Sequence, residues 1–300
     1  MFGAPENIHL IKIVNRIAAS LALPDTDTCL KVLQDLAPSI GMAEICLDIM
    51  ETYDLPRLIA NSPCPLIVTC RPVREGGHFS GSESKRLDIL VQAIALGTAY
   101  VDIEWDCIDA LRLARCSHTQ VIVSRHWLNQ MPSTSTLRSM YEMLCEKADV
   151  VKLVGMASSP QDIIPILSLL QHSSDPIVGL AMGEAGQLTR LLSPCFQQCL
   201  LTYGSLTSAA ATAPGQLTVH EMINEYRLHT VGSHTAVCIY VCQNIAAVHC
   251  VLTKNTDVNS EGTLHVPWSV PPDIAIDLWP DVQICLPHAS LNLFPTHDAA

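Results

Sequence analysis

Short apolar runs rich in β-branched residues recur eight times in the first two-thirds of the chain, at 17–23, 43–48, 65–70, 99–104, 120–124, 149–154, 176–181 and 199–203. Between them lie segments with helical periodicity, among them 84–95, 135–147 and 160–170. Alternation with period two marks strands and spacing near 3.6 marks helices, so the order is strand, helix, strand, helix. Eight parallel strands with a helix after each predict an α/β protein of the closed (β/α)8 kind, a TIM barrel. The competing arrangement is an open doubly wound sheet. No Gly-x-Gly-x-x-Gly follows an early strand, which argues against its dinucleotide-binding version.

The rhythm stops near Tyr226, and beyond it polar and apolar stretches mix with Pro267, Pro271, Pro272, Pro280, Pro287 and Pro295. A boundary is therefore expected between a barrel at 1–226 and a short, poorly packed extension at 227–300. A barrel of this class reaches about 250 residues as one domain, and an extension this small is too short to bury a full core of its own. Hydrophobic residues make up 49% and charged residues 15%, which excludes general disorder, and aromatics at 5% imply an aliphatic core.

Seventeen basic against 29 acidic residues give a net charge of −12, the wrong balance for direct nucleic-acid binding. No apolar run reaches the roughly 18 to 20 residues of a membrane span, and residues 1–9 lack the basic-then-apolar order of a secretory leader, so a cytoplasmic protein is expected. The thirteen cysteines are scattered through apolar segments without a Cys-x-x-Cys pair. Cys195 with Cys199, and Cys238 with Cys242, stand four apart without histidines at zinc-finger distance, so buried small hydrophobes are expected and no metal.

In such barrels chemistry sits at the carboxyl ends of the strands. Lys152 interrupts the apolar run 149–154, and alternation places it on one face with Val150 and Val154, inward if Val151 and Leu153 face the helices. Desolvation there is expected to lower its pKa and leave an amine able to attack carbonyls. A lysine paired to a carboxylate is the structural alternative. His126 ends the neighbouring run and is suited to proton transfer. Arg71 and Glu75 precede the Gly76-Gly77 pair, where the loop can turn sharply. Glu44 lies inside the second run beside Cys46 and needs a cation or a hydroxylated ligand. The loops at 182–190 and 211–216 carry glycines suited to anions, with Arg190 as a bidentate donor.

In chain order, Glu44-Ile-Cys-Leu-Asp48, Arg71 with Glu75-Gly-Gly77, Ser124-Arg-His126, Val151-Lys-Leu153, Gly186-Gln-Leu-Thr-Arg190 and Ala213-Pro-Gly-Gln216 resemble the motif series of type I 3-dehydroquinate dehydratases. The resemblance runs from about Ser20 to Glu221. Lys152-Leu-Val-Gly155 and Gly215-Gln-Leu-Thr218 look most like the fungal forms, found in multidomain shikimate-pathway enzymes and in related quinate-pathway repressors. The tail resembles the start of the shikimate-dehydrogenase-like domain that follows in those proteins, at 239–246 and His265-Val-Pro-Trp268. The serine pair that would bind shikimate is missing near 248–250, and the chain ends before a nicotinamide-binding fold is complete, so a truncated remnant without dehydrogenase activity or NADP is expected. Entry directly into the first strand suggests the loss of upstream domains.

The resemblance implies an imine between Lys152 and the ketone of 3-dehydroquinate, with His126 as general base and then general acid, yielding 3-dehydroshikimate and water. It implies further that Glu75 supports His126, that Arg190 clamps the substrate carboxylate, and that Glu44, Arg71, Thr212 and Gln216 orient its hydroxyls. No metal or dissociable cofactor is implied. Cys46 stands where the family usually carries arginine, Thr212 where it carries serine, and Trp127 where an acidic residue commonly follows the histidine. These departures admit an alternative, a quinate-pathway repressor-like regulator that binds the same metabolites without turnover, and Lys152 by itself admits a third reading, an unrelated aldolase-type barrel that uses it as a Schiff-base lysine. The partners admitted are the substrate, a second copy of the chain or a regulatory protein, with no membrane.

Overall fold

The structure is a computed structural model and describes residues 15–111, 116–233, 235–241, 255 and 263–268. Eight strands run parallel: β1 (Ile17–Leu21), β2 (Met42–Cys46), β3 (Leu66–Thr69), β4 (Tyr100–Glu104), β5 (Gln120–Trp127), β6 (Val150–Met156), β7 (Ile177–Met182) and β8 (Thr202–Ser205). Neighbours pair in sequence order from β1 to β7, and β8 returns to β1. The ring closes where Ile177 N–H donates to Gln198 O at 2.9 Å and Leu200 N–H donates to Ile177 O at 2.9 Å, just ahead of β8. The rhythm of the sequence thus becomes a closed (β/α)8 barrel.

Helices α1 (Thr26–Leu36), α2 (Leu55–Asn61), α3 (Glu83–Ala95), α4 (Thr134–Cys145), α5 (Ile164–His172), α6 (Gln187–Leu192) and α7 (Val219–Asn224) cover the outside. Their starts are written in the sequence. Asp25, Asp54, Ser82, Ser133 and Thr218 each accept a hydrogen bond from a backbone N–H of the first turn that would otherwise lack a partner. Between β4 and β5 the described residues form only a short 3-10 turn, Ile108–Leu111, rather than a full helix.

Period-two alternation divides the strand side chains between two cores. Val151 and Leu153 of β6 join the outer core against the helices, as Ala43 and Ile45 of β2 do. Inside, Ala18, Met42, Ile67, Tyr100, Ile122, Val150, Val178 and Leu201 form an apolar plug. Above the plug, toward the carboxyl ends, the inward positions turn polar: Ser20, Glu44, Thr69, Asp102, Ser124 and Lys152 are all buried there. This change of character within single strands is what places a reactive layer at one mouth of the barrel.

β5 extends past the expected end at residue 124 to Trp127, and Arg125 there is sandwiched between Trp105 and Trp127, its guanidinium carbon 4.3 and 4.7 Å from the ring centres. The nine cysteines from Cys29 to Cys199 are free thiols, and of these only Cys116 is exposed. No helix among the described residues is long and apolar enough to cross a membrane. In the tail, β9 (Ala236–Val241) and β10 (Thr263–Trp268) pair in parallel, Leu264 and Val266 are buried, and Arg227 donates to Asn255 O at 3.3 Å. Residues 242–250, including the site of the missing serine pair, and the prolines from Pro271 onward lie outside the described residues.

The loop after β8 is fastened to the loop after β7. Gly183 N–H donates to Pro214 O at 3.0 Å, and a Cβ on Gly215, whose φ is +70°, would stand 2.1 Å from Gly183 O. Both the left-handed backbone and the close approach exclude a side chain. Gly215→Ala should therefore cost more than about 1 kcal/mol, measured as a lower urea midpoint at unchanged slope.

Candidate active site

All eight residues singled out from the sequence, Glu44, Arg71, Glu75, His126, Lys152, Arg190, Thr212 and Gln216, line one cavity of about 630 Å³ at the carboxyl mouth of the barrel. Val154, Met156, Leu180 and Met182 supply an apolar wall, and Cys46, Asp48 and Tyr203 complete the polar one.

Lys152 projects from the middle of β6 and is 4% exposed. Its ammonium donates to Asp102 Oδ2 at 2.9 Å, to Tyr203 Oη at 3.2 Å and to Glu44 Oε1 at 3.3 Å. Burial pulls its pKa down, but the carboxylates of Asp102 and Glu44 outweigh that and hold it well above the ordinary lysine value. The expectation of a lowered pKa is thus corrected: desolvation acts as anticipated, and two buried anions reverse its effect. Carboxylate pairing and inward placement, set against each other in the sequence, hold together.

Asp102 was not anticipated. It has no exposed surface, and it joins Lys152 to Arg71, whose Nη2 lies 2.7 Å from Asp102 Oδ2. Ser124 Oγ donates to Asp102 Oδ1 at 2.6 Å and accepts from Arg71 Nη1 at 2.9 Å. Arg71 also pairs with Glu104 Oε1 at 3.0 Å, and Glu104 in turn with the fully buried Arg86. Burial would raise the Asp102 pKa, yet Arg71 and Lys152 hold it well below the usual carboxylate range. The signal was present in Tyr100-Val-Asp-Ile-Glu104, where two carboxylates alternate with apolar residues as Glu44 and Lys152 do in their strands. Tyr203 offered no such signal, since an aromatic residue in a strand reads as ordinary packing.

The loop after β3 delivers Arg71 and Glu75 together. Asp48 accepts the backbone N–H groups of Arg71 and His78, both at 3.0 Å, and Gly77 passes so close to Arg71 O that a Cβ would stand 2.1 Å from it. Glu75 Oε2 accepts the backbone N–H of His126 at 2.6 Å and lies 3.2 Å from Nδ1. Burial raises the Glu75 pKa to about 7. Burial, together with the positive charges of Arg71 and Lys152, lowers that of His126 well below 6.5, so the imidazole is neutral at physiological pH. With Nδ1–H directed at Glu75, the other ring nitrogen carries a lone pair for proton abstraction.

Arg190, on α6, differs from Arg71 in having no ion-pair partner among the described residues. It is 2% exposed, its Nε has no hydrogen bond, and burial alone lowers its pKa to about 10. Across the mouth, Gln216 Oε1 accepts the Thr212 N–H at 2.9 Å, and Thr212 Oγ1 lies 2.9 Å from Ser20 Oγ, which donates to Glu44 Oε2 at 2.9 Å. Cys46 Sγ lies 3.8 Å from Ser20 Oγ, and burial keeps the thiol protonated. The cavity therefore offers one amine, one neutral imidazole, one buried cation with no ion-pair partner among the described residues, and a fringe of hydroxyl and amide groups.

Asp102→Asn keeps the shape but leaves Arg71 and Lys152 facing a neutral amide. Its expected cost is about 3–5 kcal/mol of folding stability, read by urea unfolding at neutral pH.

Residues 17–233 match the family described as type I 3-dehydroquinase. A 3-dehydroquinate dehydratase of Dehalococcoides mccartyi is 34% identical over 220 residues, covering 69% of this chain and 96% of that protein. A bifunctional 3-dehydroquinate dehydratase/shikimate dehydrogenase of Arabidopsis thaliana is 32% identical over 205 residues, covering 65% of this chain; the chain spans only 34% of that longer protein. Among solved structures, the 3-dehydroquinate dehydratase of Geobacillus kaustophilus superposes with a TM-score of 0.62 at 22% identity, over 72% of this chain and 90% of that one. A dehydroquinate dehydratase and shikimate dehydrogenase structure from S. pombe gives 0.62 at 20% identity, over 94% of this chain and 57% of that one.

Proposed function

The chain belongs to the type I 3-dehydroquinase family, and from that premise we propose that its cavity converts 3-dehydroquinate to 3-dehydroshikimate and water through an imine on Lys152. The observation that carries this reading is the meeting of the Lys152 amine, the neutral His126 and the unpaired Arg190 in one cavity. An imine withdraws electrons from the adjacent carbon, whose proton His126 then removes. The same imidazole, now protonated, returns a proton to the departing hydroxyl. Arg190 takes the substrate carboxylate, because a buried guanidinium without a protein partner is stabilised by a ligand anion. Glu44, Arg71, Thr212 and Gln216 orient the ring hydroxyls, and Glu75 holds the imidazole by its Nδ1 side.

Cys46 leaves one wall without an expected cation. A buried neutral thiol stands beside Glu44 and Asp48, where the family resemblance leads one to expect a cation. Substrate is then bound with one charge-assisted contact fewer.

We read residues 1–226 as the dehydratase barrel and 227–300 as a shikimate-dehydrogenase-like remnant of fungal type. The S. pombe likeness, which extends over 94% of the chain, supports this division. The reaction belongs to the shikimate pathway, and quinate metabolism and a cytoplasmic setting go with the fungal reading.

Borohydride added in the presence of 3-dehydroquinate should give a covalent adduct in the intact mass. Lys152→Ala should abolish both adduct and turnover. His126→Ala should still be trapped, while its turnover falls by about 10²- to 10⁴-fold. A parent chain that binds the substrate yet never traps it would sink the imine reading. Because His126 must be neutral to act as base and burial holds its pKa well below 6.5, protonation of the imidazole should not lower kcat until the pH is well below 6.5, and any step in kcat near pH 7 should come from Glu75 and vanish in Glu75→Gln.

Cys46→Arg should lower the KM for 3-dehydroquinate by about ten- to a hundredfold. An unchanged KM in a folded variant would mean that this wall is built for a different group.

A further inference from the structure

Three groups surround the Lys152 nitrogen, and they differ in what they can do with a proton. Asp102 and Glu44 are carboxylates, and as anions they only accept hydrogen bonds. Tyr203 Oη, at 3.2 Å, accepts from the ammonium and has a proton of its own. Among the described residues Lys152 Nζ is the only hydrogen-bond partner of that hydroxyl, so its proton is not committed to any protein acceptor. The ring lies against the same ammonium, 4.4 Å from nitrogen to ring centre, and the side chain lines the cavity. Tyr203 comes from β8, two strands from β6 around the ring, so it reaches the amine from a strand that is not a neighbour of β6.

We propose that Tyr203 is a catalytic residue that carries protons between the Lys152 nitrogen and the ketone oxygen while the imine forms; the proposal rests on the imine reading above. After the ammonium has lost one proton to water in the open cavity, the amine's lone pair forms a bond to the carbonyl carbon. The π pair of the C=O bond moves onto oxygen. Left there, the product would be a zwitterion, N⁺–C–O⁻, at the buried Lys152 nitrogen, where separated charge is costly. Direct transfer from nitrogen to oxygen would pass through a strained four-membered ring. With the phenol inserted, nitrogen, carbon, oxygen, hydrogen, phenol oxygen and hydrogen form a six-membered ring. The carbonyl oxygen takes the Tyr203 proton, and the Tyr203 oxygen takes one from nitrogen. Tyrosine ends as it began, and the product is a neutral carbinolamine.

Coupling the two transfers fits the surroundings. Burial and the nearby Glu44 raise the phenol's pKa well above its ordinary value, so a free tyrosinate is disfavoured and neither transfer proceeds alone. Asp102 and Glu44 favour the protonated amine, which makes a partner able both to accept and to donate more valuable at this nitrogen than a third carboxylate would be.

Tyr203→Phe keeps the ring and removes the hydroxyl. Rapid mixing with 3-dehydroquinate, borohydride quenching at timed intervals and intact mass measurement give the rate of adduct formation. The variant should form the adduct at least about 10²-fold more slowly than the parent, with its melting temperature unchanged. Approach from the product side with 3-dehydroshikimate should be slowed to the same degree, since nitrogen attacks a ketone carbon in both directions. Loss of ring packing alone has no reason to slow the two equally. Trapping at the parent's rate overturns the proposal, as does slowing confined to one compound. If Tyr203→Phe does not fold, the parent's adduct rate in mixtures of light and heavy water decides: a bowed dependence shows more than one proton in flight, and a straight line overturns the proposal. A parent that forms no adduct with either compound brings down the imine reading itself, a result distinct from normal trapping by Tyr203→Phe.

Discussion

The contact between Asp102 and the two cations on either side of it organises the interior of this barrel. Asp102 Oδ2 lies 2.9 Å from Lys152 Nζ and 2.7 Å from Arg71 Nη2, with no solvent exposure. Taking one carboxylate and two cations out of water is expensive, and their attraction offsets the cost only when each group is saturated with partners. The structure meets that condition by extension. Glu44 serves the far side of Lys152, Glu104 the far side of Arg71, and Arg86 the far side of Glu104. A row of alternating charges thus runs from β6 through β4 to α3, and removing any member takes an ion-pair partner from its buried neighbours.

The same row fixes the depth at which chemistry is possible. Below it the lumen is filled by the apolar plug, and above it the loop after β3, the end of β5 and helix α6 bring Glu75, His126 and Arg190 to the mouth. A substrate entering the cavity meets Lys152 among its buried polar lining groups. Lysine is held there by packing on all sides, so its nitrogen has little freedom to search. The entropy of positioning is spent at folding rather than at each encounter. The accompanying difficulty is that carboxylates which hold an ammonium also oppose its conversion to an amine, and a hydroxyl among the lysine's partners answers that difficulty.

How much of this was legible in the sequence depends on whether a residue breaks a pattern. Lys152, Glu44 and His126 stand out because a charge or an imidazole in an apolar strand contradicts its surroundings. The eight-fold alternation likewise fixes the barrel before any contact is known. Asp102 and Glu104 obey the same logic and could have been found by applying the alternation test to β4. Tyr203 could not, because nothing local separates a tyrosine that packs from one that meets an ammonium from a non-adjacent strand. The direction of the Lys152 shift was illegible for a related reason. Desolvation can be inferred from one strand, whereas the anions that outweigh it arrive from β2 and β4. The short 3-10 turn that the described residues form after β4 was likewise hidden in a segment without clear periodicity.

The two arginines of the cavity show how one residue type serves opposite ends. Arg71 is saturated by Asp102, Glu104, Thr69 and Ser124, so its charge is consumed in holding the floor. Arg190 is buried as deeply but has no anion beside it among the described residues, and its pKa falls for want of one. A guanidinium is not ordinarily kept dry and unpaired, because the desolvation cost is recovered only when a counter-ion arrives. Binding an anion therefore releases an unfavourable state already built into the fold. That makes the free energy of recognition largest for the ligand that can place a carboxylate at Arg190 and a ketone at Lys152 at the same time. Neither group alone gains as much: a carboxylate without the ketone leaves the lysine in its cage, and a ketone without the carboxylate leaves the arginine unpaired.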